Sequence, residues 1–113
     1  MFALYDASTM KAPVIVTPEK RDAIRTYLST AFDVVIEDWG DPMRGVWQFK
    51  PLFTWASSPI VALSYEFIED HSADQIREKL AAWRINEAMR EQREMRVLVT
   101  NAGVTLERRT PSA

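Results

Sequence analysis

The spacing of apolar side chains changes its period several times along the chain, and each change marks an element. Val14, Ile15 and Val16 form a short β-branched run that reads as a buried strand. Thr17 and Pro18 signal a helix start: a hydroxyl N-cap, then the residue whose missing N–H costs nothing at the first helical position. Ala23, Ile24, Tyr27, Leu28 and Ala31 recur on one helical face while Lys20, Arg21, Arg25 and Ser29 take the other, so residues 18–31 read as an amphipathic helix. Alternation then takes over in residues 32–39, with Val34 and Ile36 on one side of a strand and Asp33, Val35 and Glu37 on the other. Asp38, Gly40, Asp41 and Pro42 carry turn chemistry, and residues 45–50 form a third strand in which Trp47 and Phe49 alternate with Gln48 and Lys50.

The clearest alternation covers residues 60–68, where Val61, Leu63, Tyr65 and Phe67 share one face of a predicted strand. Ser72 and Gln75 have capping-box spacing and open a long helix predicted over residues 73–96. Residues 97–100 and 104–107 close the chain as a hairpin, with Gly103 at positive φ. Consecutive strands with only two helices favour an α+β, two-layer domain: a mainly antiparallel sheet of about five or six strands against helices 18–31 and 73–96. One domain is expected over residues 1–113, with residues 1–12 and 108–113 poorly ordered.

The second helix cannot present a single apolar face. At about 100° per residue, Ile76, Leu80 and Trp83 cluster in one direction and Ala81, Ile85, Ala88 and Met95 in another, roughly 140° away. Either the helix bends across the sheet, or its distal half projects and offers Ile85, Ala88, Met89 and Met95 to another chain.

Composition then removes most chemistries. The 113 residues include no cysteine, one histidine and three scattered glycines. Disulfides, thiolate metal sites and cysteine nucleophiles are thereby excluded, as are two-histidine metal sites within one chain and glycine-rich phosphate loops. His71 lies between Asp70 and Ser72, and adjacent side chains diverge, which works against a triad. No cofactor or metal is expected. The longest charge-free run, residues 51–65, spans 15 residues and is shorter than a bilayer crossing of about 20. The chain opens without a basic segment and meets Asp6 early, so a cytoplasmic location is expected.

Charge sharpens the picture, because the net −2 conceals two acidic clusters. One is Asp33, Glu37, Asp38 and Asp41; the other is Glu66, Glu69, Asp70 and Asp74; and the C-terminal third is basic. Metal or catalytic carboxylates, with Glu66, Asp70 and His71 as an enzyme's parts, are one reading of the clusters; solvated turns and a surface for a basic partner are others. Arg90, Arg93, Arg96, Arg108 and Arg109 are interleaved with glutamates in the helix, and with a pI near 5.4 direct nucleic-acid binding is not expected. Trp39 sits among acidic residues as an anchor offered to a partner.

The expectation is therefore a non-enzymatic protein-binding module, an adaptor or inhibitor of the kind found in phages and mobile elements. Its candidate partner surface comprises Glu37, Asp38, Trp39, Asp41 and Arg44 in the turn, with Glu66, Glu69 and Asp70. Ile85, Met89, Arg93 and Met95 complete it on the distal helix. Its acidic groups would suit another protein's basic nucleic-acid groove. The competing expectation is a structural subunit of a homo-oligomer such as a virion component, with an unpaired strand edge buried by neighbouring copies.

Overall fold

The computed structural model of the chain describes residues 15–53 and 57–109. Its elements in chain order are α1 (Pro18–Phe32), β1 (Ile36–Asp41), β2 (Val46–Pro51), β3 (Ile60–Ser64), α2 (Tyr65–Asp70), α3 (Ala73–Ala82), α4 (Ile85–Glu91), β4 (Met95–Thr100) and β5 (Gly103–Arg108). They form an α+β fold with a five-stranded sheet in the order β1-β2-β3-β4-β5. Only β3 and β4 run parallel, as the return through three helices requires; every other neighbouring pair is antiparallel.

The helix starts follow their caps. Thr17 Oγ1 accepts from the backbone N–H of Lys20, with Pro18 in the first turn, and Ser72 and Gln75 form the reciprocal capping box that opens α3. Gly103 has φ 122° in the closing hairpin, as its turn demands.

The strand expected over residues 32–39 is displaced along the chain: Phe32 ends α1, and β1 spans Ile36–Asp41, so Asp38, Trp39, Gly40 and Asp41, read as a turn, pair with β2 instead. Three further boundaries differ from the sequence reading. Ile15 and Val16 lie in a turn and bend rather than a strand, although Val16 is buried; Val14 falls outside the described residues. The strand predicted over residues 60–68 stops at Ser64, whose hydroxyl accepts from Phe67 N–H at 3.1 Å and caps α2. Helical geometry then puts the sequence neighbours Phe67 and Ile68 both in the core, which strand alternation forbids.

The third difference answers the two-faced helix. The predicted 73–96 segment is two helices, α3 and α4, broken where Arg84 adopts a left-handed conformation at φ 53°, and residues 95 and 96 belong to β4. The break rotates the second apolar face back onto the sheet. Ile76 and Leu80 from α3 and Ile85 and Met89 from α4 enter one core, and the distal stripe is not a projecting surface.

Register shows which face the helices cover. Trp47 opposes Leu63, Phe49 opposes Val61, and Val61 and Leu63 oppose Val97 and Val99, so these side chains share one side of the sheet. All six belong to the core together with Ile24, Leu28, Phe67 and the α3 and α4 residues. Burial of each such side chain contributes roughly 1.5–3 kcal/mol. The opposite face carries the alternate residues: Trp39, Gln48, Ala62, Leu98 and Thr105 in one row, with Glu37 against Lys50 and Arg96 against Glu107 beside it. Among the described residues no helix packs on this side, and no helix is long and apolar enough to cross a membrane.

Candidate functional site

The helix-free face is closed over its middle by side chains of its own. Arg96 Nη1 donates to Gln48 Oε1 at 2.7 Å, passing over Ala62 on the intervening strand, and its Nε lies 3.1 Å from Glu107 Oε1. Arg44, from the β1–β2 turn, donates through Nη2 to both carboxylate oxygens of Glu107 at 3.0 and 2.9 Å. This clasp joins the first hairpin to the last strand, and Gln48 and Ala62 are buried beneath it. Arg44 is exposed yet engaged within the fold.

What stays open is the β1 flank. Glu37 is exposed, Trp39 is half-buried, and Lys50 Nζ lies 6.0 Å from the centroid of the Trp39 ring. These three and Asp38 line a shallow depression of about 350 Å³. Glu37 and Lys50 are direct cross-strand partners, yet among the described residues no ion pair takes either of them. Val35 just before β1 is 69% exposed and Met43 in the turn 98%, so apolar surface flanks the strand at both ends.

Asp38 has the opposite fate. Alternation turns it toward α1, where its side chain is 3% exposed and accepts from Arg21 Nε at 3.0 Å, Arg25 Nη1 at 2.6 Å and Trp47 Nε1 at 2.7 Å. It fastens β1 to α1, and both of its carboxylate oxygens are already bonded within the fold. Gly40 lies on the same side by alternation and carries no side chain there, because the Trp47 ring occupies the space that one would need. The sequence offered no sign of the Arg21 and Arg25 contribution, since both fall on the polar side of α1.

The remaining sequence candidates separate. The carbonyl of Asp41 accepts from Gly45 N–H at 2.9 Å and so shapes the turn, and its charge, after desolvation, helps raise the pKa of Tyr65. Glu66 and Glu69 are exposed on α2, while Asp70 accepts from Asn101 Nδ2 at 2.7 Å and Asp74 pairs with Arg77. Of the two acidic clusters, Asp38 and Asp74 are already paired with arginines. Ile85 and Met89 are fully buried, Met95 is half-buried at the start of β4, and Arg93 Nη1 donates to the Ser57 carbonyl at 2.9 Å. Their expected role at a partner surface is corrected for Ile85 and Met89, which the helix break places in the core.

Other basic groups of the C-terminal third also serve carbonyls. Arg90 donates to Ala31 at the end of α1, and Arg109 Nη1 donates to Ser58 and Arg93 at 2.9 and 3.0 Å. His71 Nδ1 lies 2.7 Å from the Phe67 carbonyl, which can only accept, so this nitrogen carries the proton and holds the end of α2. Among the described residues no three His, Asp or Glu side chains come together in a way that would hold a metal ion.

Comparisons of the chain with protein families, with curated proteins and with solved structures found no match.

The backbone of β1 completes the site. Leu52 N–H donates to the Val35 carbonyl at 2.9 Å, which makes 35 and 52 a hydrogen-bonded pair in the β1–β2 ladder. Such pairs alternate, so Glu37 with Lys50 and Trp39 with Gln48 also bond inward, whereas Ile36, Asp38 and Gly40 turn their N–H and C=O groups away from β2. Pro51 opposite Ile36 fits this phase, since a residue without an N–H belongs at a non-bonded position. Among the described residues β1 is an edge strand, and three residues of donors and acceptors face outward along it beside Trp39.

Proposed function

We propose that this chain is a non-enzymatic protein-binding module that receives a partner's strand along β1. The observation that carries the reading is the outward backbone of Ile36, Asp38 and Gly40 on an edge strand that is rigidly fastened from behind. Strand addition takes its affinity from main-chain hydrogen bonds and its selectivity from side chains on alternate positions, here Glu37 and Trp39. Because Asp38 is committed to α1, the partner meets Glu37, Trp39 and the ammonium of Lys50 rather than a uniformly acidic turn.

A photo-reactive residue placed at position 37 in living cells tests this, with position 78 on the exposed side of α3 as the control. Protein adducts are expected at 37 and not at 78, and Trp39→Ala is expected to diminish them. Equal labelling at both positions, or none at 37, overturns the reading.

A further inference from the structure

The partner strand's identity can be read from β1 itself. Resting on the strand-addition reading, we propose that it is β1 of a second copy, paired antiparallel about a two-fold axis through Asp38, so that two five-stranded sheets become one.

The argument is one of register and charge. Only residues whose backbone groups point outward can bond across the new seam, so Ile36, Asp38 and Gly40 must pair among themselves. Three registers satisfy this near the middle of the strand. Centring the axis on residue 37 sets Glu37 against its own copy, with like charges directly opposed. Centring it on residue 39 sets Glu37 against Asp41 of the other copy, again like against like. Centring it on Asp38 sets Ile36 against Gly40 and Glu37 against Trp39, with no carboxylate facing another on the helix-free side.

That third register also supplies what the isolated chain lacks. Lys50 leans over the Trp39 ring instead of pairing with Glu37 of its own chain. The residue opposite Trp39 across the seam is the other copy's Glu37, so each Lys50 ammonium gains a carboxylate, twice per dimer. On the helix side Asp38 meets its own copy, but each is already neutralised by Arg21 and Arg25, which removes the usual penalty for opposed acids. The seam is self-complementary, as a two-fold contact must be.

Light scattering and sedimentation of the purified chain provide the first test, with a mass of twice the 13.0 kDa protomer expected at micromolar concentration. Glu37→Lys and Lys50→Glu are each expected to weaken the dimer about tenfold or more by turning attraction into repulsion, and the double exchange to restore it. Because the chain has no cysteine, register can be read by oxidation. Residues 37 and 39 face each other at a separation a disulfide can span, whereas 37 and its own copy lie diagonally at about 7–8 Å. Glu37→Cys protein mixed with Trp39→Cys protein is therefore expected to cross-link, and either alone to do so far more slowly. A monomeric wild type, a dimer indifferent to both charge reversals, or equal cross-linking of Glu37→Cys alone overturns the proposal. A monomer that still forms adducts to a different protein at position 37 overturns the second copy while leaving strand addition standing; absence of adducts at 37 removes both.

Discussion

Glu37 and Asp38 are sequence neighbours of like charge whose surroundings are opposite. Asp38 is enclosed by two guanidiniums and an indole N–H; Glu37, one residue earlier and turned to the other face, ends in solvent with a lysine across the ladder that does not pair with it. The difference is made by α1. Where a helix lies over the strand, a carboxylate must be fully bonded to be buried at all. Where none does, the same chemistry is left available. A single strand of six residues thus has one face bonded into the fold and one left open.

The comparison breaks most sharply at Asp38. Asp38→Asn keeps the size and removes the charge that two arginines and Trp47 Nε1 converge on. Loss of a partner from a buried ion pair costs about 3–5 kcal/mol, and because Arg21 and Arg25 keep partial contact with water the lower end, about 3 kcal/mol, is expected in urea denaturation. If the substitution shifts the midpoint no more than a surface change does, the enclosed side of β1 is not the structural one.

Gly40→Ala follows, at about 1–3 kcal/mol, the usual cost of overpacking. Trp47 cannot move aside easily, since its N–H is held by Asp38 and Arg21 lies 5.3 Å above its ring. Thermal melting reads the effect, and a melting temperature unchanged from wild type would mean that the ring gives way.

A third prediction concerns the helix layer that creates the difference. Tyr27 on α1 donates to Asn86 Oδ1 at 2.8 Å and accepts from Asn86 N–H at 3.2 Å, tying α1 to α4. Desolvation raises the phenol's pKa above its ordinary value, with Glu87 adding in the same direction. A raised folded pKa means that the unfolded chain loses this proton first, so stability is full below about pH 10 and falls as pH rises through the folded value. Tyr65, raised by desolvation and by Asp41, contributes in the same sense. Tyr27→Phe is expected to flatten part of this alkaline decline and to cost about 1 kcal/mol at neutral pH. An unchanged alkaline slope in denaturant titrations would place the titration elsewhere.

Much of this was legible in the chain, and what was not has physical reasons. Caps and turn residues announce themselves because they satisfy backbone groups locally, which is why Thr17, Ser72 and Gly103 read correctly. Alternation overran Ser64 because an apolar run at period 2 and the first turn of a buried helix look alike over a few residues. The two apolar faces of residues 73–96 were visible, but the left-handed Arg84 that reconciles them depends on packing both faces onto one sheet. At the site, Trp39 and Glu37 were singled out by composition, although as turn residues rather than on the strand that carries them. Neither Asp38's enclosure nor the clasp of Arg44 and Arg96 on Glu107 was, since each joins segments far apart in sequence. The phase of the β1 backbone came from one hydrogen bond, Leu52 to Val35, which no pattern of side chains encodes.

The smallest expected effect is the most discriminating. Glu37→Lys changes an exposed side chain that makes no ion pair among the described residues, so the stability of the folded chain should move by no more than about 0.5 kcal/mol. Measured at concentrations low enough to dissociate any dimer, denaturation should match wild type, since at higher concentration association would itself raise apparent stability by mass action. Asp38→Asn, one residue away, should fall far outside that range under the same conditions. If Glu37→Lys instead destabilises the dilute monomer as strongly, then the open side of β1 is bound into the fold as tightly as the enclosed side, and the strand has no face to spare for a partner.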